Sequence, residues 1–279
     1  MSNLKTRLAM FFVAVPIVFA ILLLLPHFNH AIFHIIAVPI LILAGIEMKN
    51  LLKNKGIRIA PGLFVVPGIF PIYIYLQNTG IIPSTFLPYF LFLLFSYPIM
   101  IEAFIQKEEN LKDAILRIIG GVGIIIYPGF LSIFPLSIST LPSPGLHFFL
   151  FFWLVFANDT FAYLVGMLFG RNHQNISIVS PKKSLVGFIG GFSFTVLFAV
   201  IWQLILPQAF GSITVSIILG VVMGISGIIG DLSESALKRS AQIKDSGDII
   251  PGRGGILDSI DSIILSAPFY LFILTIALR

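Results

Sequence analysis

Asp258 and Asp261 stand three residues apart at the head of an apolar stretch, and Asp231 closes the apolar stretch before it. Side chains three apart project from one helix face. Two neighbouring helices therefore need only lie side by side for these carboxylates to converge. Carboxylates without thiols or nearby histidines suit a hard cation, Mg²⁺ before Zn²⁺. The segment from Gly230 to Ser262 holds six of the chain's twelve acids: Asp231, Glu234, Asp245, Asp248, Asp258 and Asp261. Lys238, Arg239 and Lys244 lie among them, with the turn Pro251-Gly252-Arg253-Gly254-Gly255. Acids for Mg²⁺, bases for phosphate and a glycine turn are the components of phosphoryl or nucleotidyl transfer. A solvated loop of mixed charge would account for the charges, but not for acids that continue into the head of an apolar helix.

Two further stretches are more polar than their surroundings require. Asn158-Asp159-Thr160 interrupts an apolar run. An Asp at mid-membrane costs about 2.5–3.5 kcal/mol, so it should face the protein interior or a wet cavity. A polar cluster that pins neighbouring helices is the plainer account. The second stretch ends in Ser180-Pro181-Lys182-Lys183-Ser184, and the helix after it opens with Gly187, Gly190 and Gly191. Paired lysines at a helix start can hold a phosphate against backbone N–H donors. Loop lysines and glycines that serve helix packing explain the same residues.

The elements that must position these groups are membrane helices. Hydrophobic residues make up 57% of the 279 positions and charged residues 10%, with a mean hydropathy of +1.03. A soluble domain carries about 25% charged residues, so this chain lacks the polar surface for water. The fold expected is all-α and polytopic, with about nine transmembrane helices near 8–25, 31–48, 62–77, 85–105, 114–134, 146–170, 185–206, 212–230 and 256–278. The third is short and interrupted by Pro67 and Pro71, which predicts a kink or a partly re-entrant segment. The first ends in Leu-Pro-His rather than a small-residue cleavage site and reads as a retained anchor.

Charge placement supports this segmentation. With the N-terminus cytoplasmic, the outer breaks 26–30, 78–84, 135–145 and 207–211 contain no charged residue, and 16 of the 17 Lys and Arg fall inside. A missed or invented span would invert every later loop and destroy the separation. The net charge of +5 therefore reflects membrane topology and anionic head groups rather than nucleic acid. The absence of cysteine excludes disulfides, thiolate metal sites and a Cys nucleophile. The chain reads as N-terminal membrane helices over 1–140, acting as scaffold and lipid boundary, and catalytic membrane helices with cytoplasmic loops over 141–279.

The Gly230–Ser262 segment resembles phosphatidate cytidylyltransferase, the CDP-diacylglycerol synthase family. The matching residues are Ser235, Lys238-Arg239, Lys244-Asp245, Pro251-Gly252, Gly254-Gly255, Asp258 and Asp261, with the family's spacing throughout. Upstream, Asp159, Ala162-Tyr163, Phe169-Gly170, Ser180 to Ser184 and Gly190-Gly191 also resemble it, so the motifs cover about 155–265. The resemblance implies that CTP and phosphatidate give CDP-diacylglycerol and pyrophosphate at the cytoplasmic face of the cytoplasmic membrane. It implies Mg²⁺ held by Asp231 and Asp258 with Asp261 close behind, and Lys244 and Asp245 among the catalytic groups. By the same carry-over, Asp159, Lys182, Lys183, Ser235, Lys238, Arg239, Arg253, Gly254 and Gly255 contact substrate. Three departures stand out: Arg253 replaces the usual His, Ser259 the usual Arg, and Leu185-Val186 an aromatic-acidic pair. The guanidinium at 253 is a candidate to restore the charge missing at 259, but it cannot donate or accept protons as His does.

Other readings compete. A CTP-dependent lipid kinase would bring the same nucleotide to a lipid but release CDP. A transporter would gather charge near the midplane, and a non-catalytic relative would keep the fold while its signature drifted. The sequence is compatible with a homodimer. His27, His30 and His34 read as interfacial histidines, and Glu47 and Glu102 as acids meeting bases or water near helix ends.

Overall fold

The computed structural model describes residues 27–104, 111–170, 177–181, 183–250 and 254–278. Helix α1 spans His27–Asn54 and is followed by a 3-10 turn, Leu63–Gly68, that leads into α2, Ile69–Asn78. Helix α3 is Leu87–Glu102 and α4 is Ala114–Ile124. The chain then passes through a π turn at Ile125–Gly129, around Pro128, and a short 3-10 turn into α5, Ile133–Ser137. Helices α6 (Pro144–Phe169), α7 (Leu185–Ile205), α8 (Ile213–Ser240) and α9 (Leu257–Ala277) complete the fold. The protein is a polytopic all-α membrane protein. Each expected span from 31–48 onward falls on a described helix, seven of them long and apolar enough to cross a membrane. The segment Leu63–Asn78 is shorter, as Pro67 and Pro71 led us to expect. The first expected span, 8–25, lies outside the described residues, as do Lys182 and Arg253.

Helices α6 to α9 pack as a four-helix bundle because small residues let their backbones approach. A side chain at Gly191 would strike the Asn158 carbonyl, and one at Gly227 would strike the Asn158 amide. Asn158 Nδ2 donates to the Gly224 carbonyl oxygen at 2.9 Å, satisfying a buried polar group between helices. Ser226 Oγ donates to Ser266 Oγ at 3.0 Å, and Gly230 lies against Asp261 and Ser262. The residue pairs 226/266 and 230/262 run in opposite senses, so α8 and α9 are antiparallel, with the end of one beside the start of the other. Phe148, Phe151, Leu154, Leu219, Ala267 and Tyr270 fill the bundle's buried core.

One boundary differs from expectation. The segment after Gly230 was expected as a break between spans, but α8 continues to Ser240. The added residues, Asp-Leu-Ser-Glu-Ser-Ala-Leu-Lys-Arg, include strong helix formers, and Glu234 and Lys238 pair across one turn. The end of the apolar run is therefore not the end of the helix. Ile243 N–H bonds to the Lys238 carbonyl at 3.0 Å and Gln242 N–H to that of Arg239 at 3.0 Å, with Gln242 at φ 59°. This Schellman arrangement stops the helix and leaves only residues 241–256 as the connection to α9.

A cavity of about 210 Å³ opens between α1, α5, α6 and α9, lined by Phe33, Ile40, Leu136, Phe156, Ile260 and Ile263 among others. Its walls are apolar, which suits hydrocarbon and excludes a nucleotide.

Candidate active site

Ser246 and Gly255, in the connection between α8 and α9, lie against the head of α9, and Asp258 is their anchor. Ser246 N–H and Gly255 N–H each donate to Asp258 Oδ2 at 2.8 Å, and Ser246 Oγ lies 2.9 Å from the same oxygen. The other oxygen, Oδ1, accepts from the Lys238 ammonium, which also pairs with Glu234. These groups are withdrawn from solvent: the Glu234, Asp258 and Lys238 side chains are 0%, 7% and 11% exposed. A lysine thus sits between two carboxylates where α8 ends and α9 begins.

The turn glycines serve this anchor. Gly254 has φ +117°, and it exchanges two backbone hydrogen bonds with Ile250, of 2.8 and 3.0 Å. A side chain there would meet Asp258 Oδ2 at 2.7 Å, and one at Gly255 would overlap Ser246 Oγ and Glu47 Oε2. Gly255 spends its N–H on Asp258, and the sequence reading of both glycines as substrate contacts did not anticipate that duty. Gly255→Ala is expected to lower stability by about 1–3 kcal/mol, the usual cost of overpacking, read as an earlier thermal transition in detergent. An unchanged transition would mean that the turn relaxes without using this packing.

Lys183 forms a second centre. It lies just before α7, whose first turn is capped by Ser184 Oγ accepting from Gly187 N–H at 3.1 Å. Its ammonium pairs with Asp231. Burial lowers the Lys183 pKa from its ordinary value, opposed by the negative charges of Asp261, Asp159 and Glu234. Lys183, Asp159, Asp231, Asp261 and Glu234 therefore share one electrostatic neighbourhood, to which Lys238 also belongs. Asp261 is buried, and its Oδ1 accepts from Ser262 N–H at 2.6 Å.

Other residues singled out from sequence lie elsewhere. Lys244 and Asp245 form an ion pair at 3.7 Å with side chains 70% and 50% exposed, outside the buried cluster. Arg239 is turned away: its guanidinium donates to the carbonyls of Val179 and Ile243, both at 3.2 Å, and so ties the loop before α7 to α8. Ser235 is buried on α8. Ser259 Oγ donates to the Gly255 carbonyl at 3.2 Å. Gly187, Gly190 and Gly191 lie against α6, which is the packing role. His30 and His34 are buried and lie against Phe148, Phe33 and Tyr75. Glu102 meets a base as expected, in a bidentate pair with Arg117 at 2.9 and 2.7 Å.

Glu47 and Ser246 are the groups the sequence reading missed. Glu47 is 3% exposed; Oε1 accepts from Ile256 N–H at 2.8 Å, while Oε2 accepts from Leu257 N–H at 2.8 Å and from Ser246 Oγ at 2.7 Å. The first amides of a helix have no partner within it, and a carboxylate there also meets the positive end of the helix dipole. A signal was present: an ionisable residue inside an apolar span is by default a functional candidate. Glu47 also crosses the division drawn at residue 140.

The carboxylates are oxygen donors of the kind Mg²⁺ takes. Among the described residues, however, no three acidic or histidine side chains are grouped closely enough to hold an ion. Asp231 and Asp258 have lysine ammoniums as partners instead.

The model of the cytidylyltransferase family matches residues 5–277. A phosphatidate cytidylyltransferase of Staphylococcus aureus (strain COL) is 35% identical over 243 residues, covering 81% of this chain and 85% of that protein. Proteins of the same name from Synechocystis sp. and Chlamydia muridarum are 39% and 37% identical over 127 and 134 residues. These two matches cover 46% and 44% of this chain, and 42% and 43% of the relatives' lengths.

Proposed function

The chain belongs to the cytidylyltransferase family, and on that premise we propose that it converts CTP and phosphatidate to CDP-diacylglycerol and pyrophosphate in phospholipid biosynthesis. The observation that carries the proposal is the alternation of carboxylates and lysines where α8 ends and α9 begins, buried at Glu234, Lys238 and Asp258 and partly open at Lys183 and Asp231. With a bound cation offsetting its excess of carboxylates, such a cluster suits polyanionic substrates whose tails lie in hydrocarbon.

The reaction asks little proton chemistry of the protein. A lipid phosphate oxygen attacks the α-phosphorus of CTP, a new P–O bond forms, and the bond to the β-phosphate oxygen breaks. The nucleophile is already an anion at neutral pH, so no strong general base is required. Lys183 and Lys238 supply positive charge toward the triphosphate as pyrophosphate leaves. Asp258, fixed by two backbone N–H groups, keeps Lys238 in place until substrate and cation draw the lysine away. Lys182 and Arg253 are proposed to add charge from the adjoining loops.

Asp231, Asp258 and Asp261 are proposed to hold Mg²⁺, which when bound neutralises charge on the reacting phosphates. The donor chemistry supports this, and the lysine partners of Asp231 and Asp258 must then turn toward substrate. Chelation is expected to stop product formation, and added Mg²⁺ to restore it; full turnover in excess chelator would remove the metal from the proposal. The confinement of 16 of the 17 Lys and Arg to inner segments supports an active site facing the cytoplasm from the cytoplasmic membrane.

The decisive experiment supplies purified protein in detergent with labelled CTP, phosphatidate and Mg²⁺. CDP-diacylglycerol with pyrophosphate is the expected outcome. CDP with a newly phosphorylated lipid would identify the kinase instead, and no product across lipids and divalent ions would leave a non-catalytic relative. The mass of the protein in detergent separates a monomer from the homodimer with which the sequence is compatible.

A further inference from the structure

Glu47 sits on α1, 199 residues from Ser246 and 210 from Leu257, yet it accepts hydrogen bonds from both. Its carboxylate binds the amides of Ile256 and Leu257, the two residues immediately before Asp258. The backbone that aims the Asp258 side chain is therefore held from α1. Ser246 extends that hold. Its Oγ lies 2.7 Å from Glu47 Oε2 and 2.9 Å from Asp258 Oδ2, between two carboxylates. A hydroxyl has one proton to donate, so it serves one carboxylate at a time. The shorter contact favours donation to Glu47, leaving Asp258 to the two N–H groups of Ser246 and Gly255. Gly247 and Gly255 lie close against the Glu47 carboxylate, which pins both arms of the connection.

We infer that Glu47 is a positioning residue for the transfer reaction, fixing Asp258 and the 241–256 connection through Ser246 and the first amides of α9. The inference rests on the proposed activity and on Asp258 belonging to its reacting centre. Without Glu47, two buried helix amides lose their acceptor and the Ser246 hydroxyl is free to turn onto Asp258. A displacement of the order of 1 Å at a reacting centre costs about 10²-fold in rate, without a matching loss in nucleotide affinity. Gln is not a conservative replacement here, because its amide group would present donors to donors.

The test compares Glu47→Gln, Glu47→Ala, Ser246→Ala and the Glu47→Ala/Ser246→Ala double variant in full-length protein in detergent. The control is Glu102→Ala, which breaks the pair with Arg117. Glu47→Gln is expected to lower kcat about 10²-fold with KM for CTP within about threefold. Amides of 254–258 should exchange hydrogen about tenfold faster. The double variant should lose no more than its worse parent, as expected of groups acting as one unit. Glu102→Ala should leave kcat within about twofold. Glu47→Gln with kcat near wild type, unchanged exchange at 254–258, or independent losses that multiply would each overturn the inference. If Glu47→Ala does not fold, Glu47→Gln with Ser246→Ala carries the comparison. A wild-type protein that forms no product defeats the proposed activity, whereas unaltered exchange in Glu47→Gln defeats the positioning role.

Discussion

Asp258→Asn is expected to lower the rate of CDP-diacylglycerol formation by about 10²–10³-fold, the range seen when one preorganised electrostatic group is removed from a reacting centre. The aspartate receives the N–H groups of Ser246 and Gly255 on one oxygen and the Lys238 ammonium on the other. An amide of the same shape has one oxygen for these two directions. Its NH₂ must face either two N–H donors or an ammonium, and either choice sets donor against donor. Lys238 also loses one of its two anionic partners, so the charge offered to the triphosphate moves. Initial rates with labelled CTP measure the loss, and a thermal transition in detergent shows whether the fold survives. A folded Asp258→Asn protein that keeps a third of the wild-type rate would exclude Asp258 from the reacting centre.

Lys238→Met is expected to be the most destabilising single change in the cluster. The methionine has nearly the right length but no charge, and it leaves Glu234 and Asp258 facing one another, 0% and 7% exposed. Removing one partner of a buried ion pair costs about 3–5 kcal/mol, because the remaining charge is neither hydrated nor paired. Here Glu234 loses its ion-pair partner, and Asp258 keeps only the donors on Oδ2. The thermal transition should fall sharply, and Glu234→Gln in the same background should recover part of the loss by removing one stranded charge. A Lys238→Met protein that melts with the wild type would show that water reaches these carboxylates and that the burial has little energetic weight.

Much of the scaffold was legible because membrane insertion writes itself into composition. Long apolar runs mark the spans, and Pro67 and Pro71 marked the one that is short. The extension of α8 was not legible: charge ends an apolar run, but Glu234 and Lys238 stabilise the helix that continues through it. The site divides in the same way. Spacing drew attention to Asp258, Asp261, Lys183 and Lys238, since each lies in or beside a motif. It did not reveal that Arg239 turns to the Val179 carbonyl or that Lys244 and Asp245 pair in solvent. Motif spacing identifies which residues occur together, while the direction of each side chain depends on how the helix is rotated against its neighbours. Glu47 illustrates the larger gap, because no local pattern connects α1 to a loop near the opposite end of the chain.

That separation has a consequence for biogenesis. A ribosome adding about 5–20 residues per second takes about 10–40 s to travel the 199 residues from Glu47 to Ser246. Throughout that interval the Glu47 carboxylate, near the end of α1 and two residues from Lys49, lacks the Ser246, Ile256 and Leu257 donors that hold it in the folded protein. The arrival of α9 supplies the Ile256 and Leu257 amides to the acid and places Asp258 beside it. The hold of α1 on the Asp258 loop is therefore among the last contacts that synthesis makes possible, because its donors at 246, 256 and 257 emerge only near the end of the chain.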